Sequence, residues 1–92
     1  PPPETELEII ANESGLARER CTALVNLATQ LRRLKETDLE ENVSTRLLVY
    51  CATLMAAGLD PLQAAQAALV EPLSDEPEVQ QGLFELIRAT FG

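Results

Sequence analysis

A chain of 92 residues makes one small domain, and an apolar share of 46% with only three aromatics, Tyr50, Phe84 and Phe91, requires an aliphatic core. The net charge of −8 is uneven: residues 1–35 balance five acids against five bases, whereas residues 36–92 set ten acids against Arg46 and Arg88 alone. That balance excludes a basic face for nucleic acid and a Lys/Arg-rich membrane-surface helix, and the lack of histidine excludes a Ser-His-Asp triad or a His-based metal site.

Pro1-Pro2-Pro3 is a stiff, extended spacer. With no methionine before Met55, it reads as the joint to a domain upstream. A first helix is predicted over Glu4–Asn12. Glutamates fill its first turns, where the helix dipole favours them, and Leu7, Ile10 and Ala11 form its apolar stripe. Gly15, at the end of "NESG", is its C-terminal cap.

A second helix is predicted over Ala17–Lys35, with Cys21, Leu24, Val25, Ala28 and Leu31 recurring at helical spacing. Arg32, Arg33 and Lys35 crowd its last turn. They fit either a basic patch for an acidic partner or the ordinary complement of a helix C-terminus. An acidic connector, "KETDLEENVS", follows. A third helix is predicted over Thr45–Ala57, capped by Ser44 and ended by Gly58. Leu47 to Leu59 carries no charge, so this helix is expected to be central, surrounded by the others.

Asp60 and Pro61 are an N-cap and first helical residue. They open a fourth helix that buries Leu62, Ala65 and Leu69 and stops before Pro72. A fifth is predicted over Glu78–Thr90, with Val79, Leu83, Leu86, Ile87 and Phe91 on one side and Phe84 at its edge. No stretch alternates with period two. The expected fold is all-α, a compact five-helix bundle.

Cys21 and Cys51 lie within apolar helical patterns without a CxxC spacing, and are expected to be small core residues in a reducing compartment. No signal peptide is visible, and the run from 47 to 59 is too short to span a bilayer, so a cytoplasmic protein with no membrane partner is expected. The scattered glycines form no phosphate-cradling loop. One residue stands out. Arg46 would be the second residue of the third helix, where a cation opposes the helix dipole. Either it pairs with Glu40 or Glu41 at the surface, or the guanidinium and the first-turn amides together form an anion site suited to phosphate.

The segments "IIANESGL", "LATQLRRLKE", "NVSTRLLVYCATLMAAGLDPLQAAQAALVEPLSDEPEVQQGLFELI" and the closing "FG" resemble the C-terminal domain of the CbbQ/NirQ/NorQ family, a branch of the MoxR-type AAA+ ATPases. The resemblance implies that residues 4–92 are a helical lid and residues 1–3 the linker from an upstream α/β ATPase core. It implies that Ser44-Thr45-Arg46 is the S-x-R motif of such lids, with Arg46 the sensor-2 arginine that reaches ATP and Ser44 and Thr45 beside it. It further implies a hexameric parent that uses ATP and Mg²⁺. Such a parent works with a von Willebrand factor A domain partner and remodels a target enzyme, either Rubisco or a nitric oxide or nitrite reductase. The Walker motifs, sensor 1 and arginine finger are missing from this sequence. The chain by itself is therefore expected neither to hydrolyse ATP nor to hold nucleotide. The rival reading is a free-standing acidic helical module that docks a basic protein.

Overall fold

A computed structural model describes residues 1–34 and 43–92. All regular structure among them is helical, as the sequence predicts: α1 (Pro3–Ser14), α2 (Arg18–Arg33), α3 (Thr45–Ala56), α4 (Pro61–Ala65), a π-helical segment (Gln66–Val70), α5 (Glu71–Leu73) and α6 (Pro77–Phe91). The acidic connector from Lys35 to Asn42, including both carboxylates considered for Arg46, lies outside the described residues.

Pro3 takes the first position of α1, where its missing N–H costs no hydrogen bond. The helix runs through "NES" and stops at Gly15, whose φ of 78° is the left-handed conformation that glycine adopts without strain. Its amide bonds the Ala11 carbonyl at 2.9 Å. The Ser14 hydroxyl secures the corner, donating to the Ile10 carbonyl at 2.6 Å and accepting from the Leu16 amide at 3.0 Å.

Helix α3 packs against α1, α2, α4 and the π-helical segment, yet it is not surrounded, and α2 carries as much of the core. Cys21, Leu24, Val25, Leu27, Ala28 and Leu31 are all buried, and α1, α3 and α6 pack around them. Helix α3 buries Leu48, Cys51, Ala52 and Met55 but leaves Arg46, Tyr50 and Thr53 exposed. Its uncharged run overstated its burial. Tyrosine, threonine and alanine tolerate water, and so small a chain has too few elements to surround a helix completely.

The fourth helix continues past Pro72 instead of stopping before it. Asp60 caps α4 by accepting from the amides of Leu62 at 3.0 Å and Gln63 at 3.4 Å. The ladder then widens, so that the Glu71 amide bonds the carbonyl of Gln66, five residues back. An α-helical ladder would press the Pro72 ring against the carbonyl four residues earlier and ask it for an N–H that proline lacks. The π-turn changes the register just ahead of that ring. Ala64, Ala65 and Ala68 are fully buried, and their small side chains let this rod approach α3 closely.

The buried stripe of α6 is Leu83 and Ile87, flanked by Val79, Leu86 and Phe91, on the predicted face. The turn before α6 is closed by Ser74, 1% exposed. Its hydroxyl accepts from the Glu76 amide and its carbonyl from the Gln80 side chain. Both cysteines are free and buried. Burial pushes the Cys51 thiol up to about 12, the inert state expected of a core thiol. No described helix is long and apolar enough to cross a membrane.

The N-terminus of α3 as a candidate functional site

Ser44 caps α3 as the sequence predicts. Its backbone is extended, its hydroxyl accepts from the Leu47 amide at 3.2 Å, and its carbonyl accepts the first helical bond from Leu48. The cap engages the third helical residue. The amides of Thr45 and Arg46 therefore stand outside the helix's own ladder, at its electropositive end. Arg46 is exposed at the second helical position, and Tyr50 and Thr53 continue the same outward stripe at helical spacing. Among the described residues the ion pairs are Arg18–Glu8 and Arg32–Glu6, and neither involves Arg46.

Thr45 faces the opposite way. Its hydroxyl donates to Glu6 at 2.7 Å. Glu6, on α1, is only 1% exposed. It also accepts both arms of the Arg32 guanidinium, at 2.9 and 2.8 Å, in the planar two-point geometry that lysine lacks. The Arg32 Nε–H donates to the Val43 carbonyl at 3.0 Å. One carboxylate thus joins α1, the end of α2 and the start of α3. The Arg32 guanidinium beside Glu6 holds its carboxyl below the usual range. Burial works against this, and the Thr45 hydroxyl adds to it. The same hydrogen bonding to Glu6 raises the pKa of Arg32.

This arrangement corrects the reading of the α2 terminus. Arg32 forms neither an outward basic patch nor a simple complement to the helix dipole. It is turned onto a carboxylate from another helix. Arg33 is exposed, and Lys35 lies outside the described residues. The pairing spans 26 residues of sequence, beyond any local spacing rule. A signal for it was nevertheless present. Glu6 shares a face with Ile10, and Arg32 shares one with Val25 and Ala28, so opposite charges interrupt two apolar stripes. An open cleft of about 280 Å³ between the π-turn and α6, lined by Gln66, Pro77, Gln80, Gln81 and Phe84, includes none of Ser44, Thr45 and Arg46.

Residues 6–90 match the CbbQ/NirQ/NorQ C-terminal family model. The whole chain is 52% identical to Protein NorQ of Paracoccus denitrificans, of which it covers 34%. Over 95% of its length it is 44% identical to Denitrification regulatory protein NirQ of Pseudomonas aeruginosa, again covering 34% of that protein. Over 90% of its length it is 43% identical to Protein CbbQ of Hydrogenophilus thermoluteolus, covering 31% of it. The chain thus spans about a third of the length of these relatives. With its all-helical fold and a family match over nearly its full length, the chain belongs to the CbbQ/NirQ/NorQ C-terminal family.

Proposed function

We propose that this chain is the lid of an AAA+ ATPase chaperone and that Arg46 is its sensor-2 arginine. The observation that carries the reading is the presentation of Arg46. An exposed guanidinium stands at the second position of a capped helix, beside first-turn amides, with α3 packed on the core behind it. A planar cation and a helix N-terminus directed to one place suit a phosphate. The lid closes over ATP bound by a core upstream, and Mg²⁺ is held there rather than by this chain. Arg46 offsets the charge that develops on the transferred phosphoryl group.

The assembly is a hexameric ring in which the lid contacts neighbouring subunits, served by a von Willebrand factor A domain partner. Its targets are enzymes of denitrification or Rubisco. Membership of the family that includes NorQ, NirQ and CbbQ proteins supports this reading.

The test is Arg46→Ala in the full-length ATPase. ATP turnover per folded molecule is expected to fall by about two orders of magnitude or more. Stability should change by no more than about 0.5 kcal/mol, because an exposed first-turn cation contributes little to folding. Lost stability with unchanged turnover would make Arg46 a structural residue and sink the assignment.

A further inference from the structure

Three consecutive residues ahead of Arg46 are each held by a different bond. The Val43 carbonyl accepts from Arg32, the Ser44 hydroxyl accepts from Leu47, and the Thr45 hydroxyl donates to Glu6. The Ser44 cap alone would start the helix, and the buried Leu48, Cys51, Ala52 and Met55 would dock it. A carboxylate with 1% exposure is an expensive addition to that arrangement. An ion pair with one member buried and the other partly exposed is weak support for stability compared with apolar packing, but its two-point geometry permits far fewer arrangements. Here the fixed object is the backbone from which the Arg46 side chain leaves.

We infer that Glu6, Arg32 and Thr45 are positioning residues for Arg46, clamping the start of α3 so that its guanidinium is directed at the phosphates. The inference rests on the sensor reading of Arg46. The carboxylate sits on α1 and its guanidinium partner on α2, so the clamp references Arg46 to two helices other than its own. A small displacement of a charge-stabilising group is costly in rate, which is why such a group needs rigid support.

The experiment uses the full-length ATPase with ATP as substrate. Thr45→Val keeps the shape but deletes the hydroxyl. Arg32→Lys keeps the charge but loses the two-point fork and the bond to Val43. Each should lower kcat by about ten- to a hundredfold, the scale expected for misplacement of a catalytic group by about an ångström, with a smaller change in KM for ATP. Thr45→Ser should restore turnover. Introduced into Arg46→Ala, neither Thr45→Val nor Arg32→Lys should reduce turnover further, since the residue they orient is gone. A further loss on that background would show that the clamp acts through general integrity and would overturn the inference. If Arg46→Ala loses turnover while Thr45→Val and Arg32→Lys keep it, the positioning role fails and the sensor reading survives. If Arg46→Ala itself keeps turnover, both fail.

Discussion

Removing Arg32 should expose what the clamp contributes to folding, with a dependence on pH that few other deletions share. In Arg32→Ala, Glu6 loses two of its three hydrogen bonds but stays in a site that is 1% exposed. Orphaning one member of a fully buried pair costs about 3 to 5 kcal/mol. The Arg32 side chain is 36% exposed, so water can enter as it is trimmed, and the loss at pH 7 should be nearer 2 to 3 kcal/mol. An independent ceiling exists, because a stranded carboxylate can take up a proton. From an ordinary pKa of 4.5 that costs about 3.4 kcal/mol at pH 7 and only about 0.7 at pH 5.

The native and variant slopes therefore have opposite signs. In the native chain Glu6 is depressed below its unfolded value. Its contribution is full above about pH 4.5 and is lost as pH falls through the lower folded value. In the variant, burial without Arg32 raises the same pKa, so the penalty is greatest at pH 7 and relieved as pH falls toward 5. Urea unfolding of the chain, followed by far-ultraviolet circular dichroism at both pH values, measures the difference. A penalty below about 1 kcal/mol at pH 7, or one that does not shrink by pH 5, would refute this account of the buried carboxylate. The doubly apolar variant Glu6→Leu/Arg32→Met should lose less than Arg32→Ala, because it strands no charge.

Leu48→Ala should cost about 2 to 5 kcal/mol, since Leu48 is fully buried. Leu54→Ala, half-buried on the same helix, should cost about 1 to 2; equal losses in urea unfolding would mean α3 is surrounded after all. Cys51 should resist a thiol reagent at pH 8 until the chain unfolds, because burial holds its thiol protonated. Rapid labelling of the folded chain, located by peptide mass, would show that water reaches α3 from the core side.

How far the sequence could be read depended on the range of the interaction concerned. Ser44, Asp60 and Gly15 act within a few residues of themselves, and each does what its side chain predicts. The face of α6 follows from helical period alone, because Leu83 and Ile87 need only an apolar neighbour. Helix α3 misled because lack of charge was equated with burial, whereas Tyr50 is 50% exposed. Pro72 misled because a helix has two responses to proline, stopping or changing its ladder, and local sequence does not choose between them.

Glu6 is the deepest case. At the start of α1 it has the placement of a solvated acid favoured by the helix dipole, and that local account is complete without a partner. Only the packing of α1, α2 and α3 brings Arg32 and Thr45 to it. Arg46 was legible as an anomaly because its first-turn cation offends a local rule. Of the residues proposed to position it, Glu6 and Arg32 interrupt apolar stripes, but no local spacing pairs them with each other or with Thr45, and so their link became visible only in three dimensions. A residue at odds with its own helix turn is therefore easier to find from sequence than residues whose partners lie on other helices.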